Sequence, residues 1–148
     1  MGNIIFRFWL VNVLLSILLF VLYRFLMLDS ELVDSTFFEK VLSIVDAFLN
    51  AYLSTVYVVV ITLGSVLFFL NQIEKIRNSY FLSLITFSGV PFISVIFLTA
   101  IILGDTYQYG VTAAPLKLLF AFSVLYLLCT IVEFLLFRRK ISLIHKLR

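Results

Sequence analysis

Four long apolar segments constrain this chain more than any other feature of its sequence. They cover residues 4–28, 51–70, 81–103 and 114–137, and each has about the 20 residues or more that a helix needs to cross a ~30 Å hydrocarbon core. Backbone polar groups find no water in lipid, so segments of this kind satisfy their hydrogen bonds internally as helices. We predict an all-α fold, an integral membrane four-helix bundle in which residues 1–148 form a single domain.

The composition excludes an ordinary soluble domain. The chain is 64% hydrophobic and only 13% charged, and so little charge does not cover a water-exposed surface. The formal net charge of +3 is distributed according to membrane sidedness, so it does not indicate direct binding of nucleic acid.

Residues 36–50 are predicted to form an amphipathic helix outside the lipid. Apolar residues recur there at helical spacing, and polar residues make a stripe on the other face. Thr36 and Glu39 have the spacing of a capping box. The helix either continues into the second span as one long bent helix or meets it at a corner near Asn50. Its candidate sensing surface consists of Phe37, Glu39, Asp46 and Phe48.

Basic residues predict the orientation in the membrane. With four spans both termini share one side, and that side, with the loop at 71–80, carries eight of the Lys and Arg residues against three on the other. The positive-inside rule therefore predicts cytoplasmic N- and C-termini. The amphipathic helix would then be extracytoplasmic. A second loop, at 104–112, is predicted on the same outer side.

Polar residues inside the spans predict contacts between helices. An amide gains nothing from lipid, so Asn12 is expected to face another helix. Arg7 and Glu133 lie at similar depth near one side of the membrane, and we predict that they form an ion pair, in one chain or across an oligomer. A single bundle leaves such positions few partners, which favours a homo-oligomer.

Pro91 lies near the middle of the third span, where the missing N–H and the ring predict a kink. Such a kink serves either as a gate or as a packing accommodation, and we favour packing.

The sequence shows no constellation for catalysis and none for binding a cofactor or metal. His145 is the sole histidine and Cys129 the sole cysteine, and no phosphate-binding loop or metal-ligand spacing occurs. We therefore predict a non-enzymatic protein that contacts membrane lipids and uses no cofactor.

The tail at 138–148 alternates basic and apolar residues, which suits an anionic inner leaflet or an acidic patch on a cytosolic protein. The candidate docking residues in this tail and in the loop at 71–80 are Lys75, Arg77, Arg138, Arg139, Lys140, Lys146 and Arg148.

Four spans, an acidic outer amphipathic helix and a basic tail make the layout of membrane subunits in small bacterial defence operons. In layout the whole chain resembles the four-span component of the Kiwa anti-phage system, which works with a cytosolic DNA-binding partner. The resemblance implies a place in the bacterial inner membrane and a role in antiviral defence. The first hypothesis is accordingly an anchor or sensor subunit that positions a cytosolic partner protein.

Two other functions fit the same pattern. An oligomeric channel or small-solute permease would have Asn12, Thr62 and Ser94 along its pore and Pro91 as its hinge. An assembly factor of a larger membrane complex would need no pore. Ion flux in liposomes distinguishes the channel from a subunit that captures a partner through its basic tail.

Overall fold

A computed structural model describes residues 2–28, 37–110 and 114–146, and every regular element in those ranges is a helix. The elements in chain order are α1 (Gly2–Leu28), α2 (Phe37–Gly64), a 3₁₀ helix (Ser65–Gln72), α3 (Glu74–Asn78), α4 (Tyr80–Tyr109) and α5 (Ala114–Lys146).

Four of these stretches are long and apolar enough to cross a membrane: Gly2–Leu26, Ser54–Gln72, Tyr80–Gln108 and Ala114–Leu143. The predicted all-α, multi-pass architecture is confirmed. We call the end of the bundle that contains α3, the start of α1 and the end of α5 the basic end, and the other the opposite end.

Part of the predicted loop at 104–112 is helical. Helix α4 continues through Gly104 to Tyr109, and the next residue, Gly110, caps it with a left-handed φ of 71°. The Gly110 N–H donates to the Thr106 carbonyl at 3.0 Å and closes the last turn. Asp105 is therefore a helical residue at the opposite end of α4.

The amphipathic segment and the second span form one continuous helix, α2, with no corner at Asn50. Thr36 lies outside the described residues, as do the side chains of Phe37, Glu39 and Asp46. Phe48 is 77% exposed. Its apolar neighbours Val41, Ile44 and Val45 are exposed as well.

The second span ends in an eight-residue 3₁₀ helix, longer than most runs of this type. Its buried residues are Ser65, Phe68 and Asn71, which recur every three residues, and three residues make one 3₁₀ turn. The period therefore places all three on one face, toward α1 and α4. The rise of about 2.0 Å per residue, against ~1.5 Å in an α-helix, also lengthens a short span.

Aromatic residues fill the half of the bundle near the basic end. Phe87 on α4 stacks on Phe68 with ring centroids 4.2 Å apart and lies 5.0 Å from the Phe137 ring and 5.9 Å from the Phe134 ring on α5. We call this group the aromatic cluster; its buried members are Ile5, Phe68, Phe87, Phe134, Phe137 and Ile141. A smaller cluster of Leu19, Ile61 and Tyr126 lies farther along the bundle.

Candidate functional site

A buried polar network joins α1 to α5 between the two apolar clusters. Asn12 is fully buried, as expected for an amide that faces another helix. Its Nδ2 donates to Glu133 Oε2 at 3.1 Å, and its Oδ1 accepts from the Tyr126 hydroxyl at 2.6 Å. Tyr126 and Glu133 are seven residues apart and so share one face of α5, where a single amide reaches both.

Glu133 keeps one oxygen unused in this network. Its Oε1 is buried and has no hydrogen-bond partner in the part of the chain that the structure describes. A buried carboxylate oxygen without a donor costs free energy. The network therefore contains one acceptor that no described donor satisfies.

The predicted ion pair between Arg7 and Glu133 is not formed within one chain. Glu133 contacts Asn12 instead, and Arg7 is exposed. Among the described residues the ion pair present is Arg77–Glu74, at 3.3 Å. Equal depth in the membrane was not enough to predict contact, because contact also depends on which way each helix is rotated. A pair across an oligomer stays a prediction.

A second polar network, which sequence reasoning missed, fixes the 3₁₀ helix against α4. Asn71 Nδ2 donates to Thr86 Oγ1 at 2.6 Å, and Asn71 Oδ1 accepts from Ser83 Oγ at 2.7 Å. Asn71 is fully buried, whereas the sequence placed it in the loop at 71–80. On the other side of the 3₁₀ helix, Trp9 Nε1 donates to Ser65 Oγ at 3.0 Å.

The basic end is held together by two of the predicted docking arginines. Arg77 is buried and bonded to Glu74, and Arg138 donates to the Arg77 carbonyl at 2.7 Å. The Arg138 guanidinium also lies 5.6 Å from the centre of the Tyr80 ring. We call these contacts the arginine clamp, because they join the end of α5 to α3 and the start of α4.

The remaining docking candidates lie beside the clamp. Lys75, Arg139 and Lys140 are exposed, and we call them the basic face. The side chain of Lys146 and the whole of Arg148 lie outside the described residues. The structure thus divides the predicted set into a structural pair and an accessible surface.

A cavity of about 500 Å³ lies in the opposite half, between α2, α4 and α5. Its wall is largely apolar, and Tyr57, Ser94 and Asp105 are among its polar residues. A smaller void of about 30 Å³ lies beside it, lined by Ser16, Ser54 and Tyr126 among others. Tyr23, Tyr57 and Leu119 line both spaces.

The candidate pore residues are not gathered in this cavity. Ser94 is on its wall, but Asn12 is bonded within the α1–α5 network. The Thr62 carbonyl accepts from Ser65 Oγ at 2.6 Å. Pro91 is buried inside the continuous helix α4, and the kink predicted there stays a prediction.

No protein-family model, characterised protein or solved structure matches this chain.

Proposed function

We propose that this protein is a non-enzymatic, oligomeric subunit of the bacterial inner membrane that anchors a cytosolic protein at its basic end. Both termini would be cytoplasmic, and the exposed amphipathic part of α2 would meet the outer leaflet. The resemblance in layout to membrane subunits of bacterial defence operons supports a role in antiviral defence.

The observation that carries this proposal is that the basic residues divide into two groups, the internally bonded arginine clamp and the exposed basic face. Arg77 and Arg138 are used internally, with Arg138 bonded to the Arg77 carbonyl at 2.7 Å. Lys75 lies two residues before Arg77, and Arg139 and Lys140 directly follow Arg138, so the clamp fixes the backbone that carries all three exposed cations. A preorganised group of cations binds an acidic surface with less loss of side-chain entropy than a free tail does.

Charge sets the chemistry of the partner. An exposed cluster of Lys and Arg attracts an acidic surface over about a Debye length, ~8 Å at physiological salt. The proposed partner is therefore a cytosolic protein with an acidic surface, and it is held at the membrane when this subunit is present. Binding should weaken as salt rises.

Partner capture from native membranes tests the proposal. Lys75→Glu, Arg139→Glu and Lys140→Glu combined should lower recovery of the bound protein about tenfold or more. Lys117→Glu is the matched control, since Lys117 is an exposed cation at the opposite end, and it should leave recovery unchanged. Equal recovery from both variants contradicts the proposal.

Sidedness is tested separately with reporters fused to the C-terminus. A reporter that is active only in the cytoplasm should give signal, and one active only in the periplasm should give none. The reverse result would place the basic face outside the cell and remove the proposed docking surface.

A channel is the second candidate, and the large cavity with Ser94 on its wall favours it. The aromatic cluster would then have to act as the closed gate. Phe87→Ala in liposomes should raise ion flux if the cavity is half of a conducting path. Unchanged flux in that variant favours the anchor.

A further inference from the structure

The large cavity exists because α2 and α4 touch closely at one level and separate beyond it. At Gly64 a Cβ atom would lie only 2.7–3.0 Å from Val90 side-chain atoms, so the two helices are in near contact there. Toward the opposite end, Val56 and Val60 on α2 and Phe97 and Ile101 on α4 line open space instead.

The size and walls of this cavity suit a hydrocarbon chain. At about 500 Å³ it falls in the range of specific ligand pockets, roughly 300–1,000 Å³. Most of its lining is aliphatic or aromatic, including Val60, Leu98, Ile101 and Leu119. Lining of this kind gives water few polar partners, so an apolar occupant fits better than solvent.

One end of the cavity carries a negative charge. Asp105 lines it near the last turn of α4, and Asp105 forms no ion pair with another described residue. Lys117, the cation nearest in sequence on α5, is exposed and is not part of the lining. An acidic group at the end of an apolar pocket selects a molecule that has a hydrocarbon tail and carries an ammonium group in its head, zwitterionic lipids included.

We propose that the cavity binds one acyl chain of a phospholipid with a primary-amine headgroup, whose ammonium contacts the Asp105 carboxylate. With the sidedness proposed above, the lipid belongs to the outer leaflet. The site does not depend on the basic face, so lipid binding and partner capture succeed or fail independently.

Native mass spectrometry of full-length protein from nanodiscs tests the site. The nanodiscs contain equal amounts of dioleoyl phosphatidylethanolamine and phosphatidylglycerol. The unaltered protein should retain phosphatidylethanolamine in preference. Ser94→Phe, which places a phenyl ring in the cavity, should lower retention about tenfold. Ile93→Phe is the matched control, since Ile93 is the adjacent residue and 66% exposed, and it should retain lipid normally.

The headgroup is tested by Asp105→Asn. This variant should still retain lipid but lose its preference for phosphatidylethanolamine over phosphatidylglycerol. Equal retention of the two lipids by the unaltered protein overturns the proposal. So does normal retention by Ser94→Phe, or a change in its oligomeric state with no change in lipid, which would make a second copy of the chain the occupant.

A fluorescent reporter on the cavity wall tests the site if Ser94→Phe does not fold. Trp9 is the single tryptophan, so Trp9→Phe with Phe97→Trp places one indole on the cavity wall, and Trp9→Phe with Ile93→Trp places one facing bulk lipid. Phosphatidylethanolamine with brominated chains should quench the wall indole more than brominated phosphatidylglycerol does. The bulk-facing indole should be quenched equally by both. Equal quenching at both positions overturns the proposal.

Discussion

The same helices pack closely in one half of this bundle and enclose open space in the other. Near the basic end, Phe68, Phe87 and Phe137 fill the space between helices. Asn71 and Arg138 form hydrogen bonds between elements in the same half. In the opposite half, the helices separate around a cavity of about 500 Å³. Dense packing between helices therefore coincides with the end that displays the basic face, and open space between helices lies in the other half.

Removing the centre of the aromatic cluster should have the largest effect. Phe87 is 1% exposed and contacts three other rings, so Phe87→Ala should destabilise the fold by about 3–5 kcal/mol. In a bilayer most of this loss is packing rather than transfer from water. Unfolding in detergent by a chemical denaturant measures it.

Phe97→Ala is the control from the opposite half, because Phe97 lines the cavity and is 64% exposed. Its cost should be within about 0.5 kcal/mol of zero, as for a substitution away from packed contacts. Equal losses in the two variants would mean that side-chain packing contributes equally to stability in the two halves.

The close contact between the halves is tested at Gly64. Gly64→Ala would place a methyl group within 3.0 Å of Val90 side-chain atoms, so the helices must move apart at a cost of about 1–3 kcal/mol. Val90→Ala in the same chain should restore most of the stability by making room. Gly104→Ala, where an added Cβ meets nothing within 4 Å, should show no loss. If Gly64→Ala is also neutral, helix separation is not set at this contact.

The α1–α5 network should contribute less than the aromatic packing. Asn12→Leu removes two interhelical hydrogen bonds, to Glu133 and from Tyr126, each worth about 0.6–1.7 kcal/mol in a membrane. Because both partners belong to one network, the losses from Asn12→Leu and Glu133→Leu should not add in a double-mutant cycle. Additive losses would mean that the two residues act separately. Glu133→Gln keeps an acceptor for Asn12 and should be nearly neutral, unless Arg7 of another copy pairs with Glu133.

The spans were predictable from sequence because twenty apolar residues have few alternatives to a helix in lipid. Asn12 was predictable as an interhelical residue for the same reason. Its partners were not, since they depend on how α1 and α5 are rotated about their axes. The sequence spacing of Tyr126 and Glu133 was the available signal, because polar residues seven apart in an apolar helix mark one face.

The 3₁₀ helix, the burial of Arg77 and the cavity depend on tertiary contacts, which a local sequence pattern does not reveal. The 3₁₀ helix is visible only as the three-residue period of Ser65, Phe68 and Asn71, which is too short to separate from an α-helical pattern. Arg77 is basic and lies in the predicted loop at 71–80, so sequence alone predicted an accessible residue. The cavity arises because α2 and α4 are in close contact at Gly64 and separate beyond it.

The smallest loss of stability should come from substitutions in the arginine clamp. These variants distinguish residues that stabilise the fold from residues that bind the partner. Arg138→Gln removes the bond to the Arg77 carbonyl and the contact with the Tyr80 ring, at a cost of about 1 kcal/mol. Arg139→Gln removes the same charge from an exposed position and should leave thermal unfolding in detergent unchanged. Partner recovery should show the reverse pattern, with the larger loss at the exposed Arg139 and the smaller loss at Arg138. Arg139→Gln should weaken capture directly, whereas Arg138→Lys, which keeps the charge but not the planar fork, should lower stability and leave capture largely intact. Loss of capture in Arg138→Lys with unchanged stability would make Arg138 a docking residue and the clamp a secondary contact.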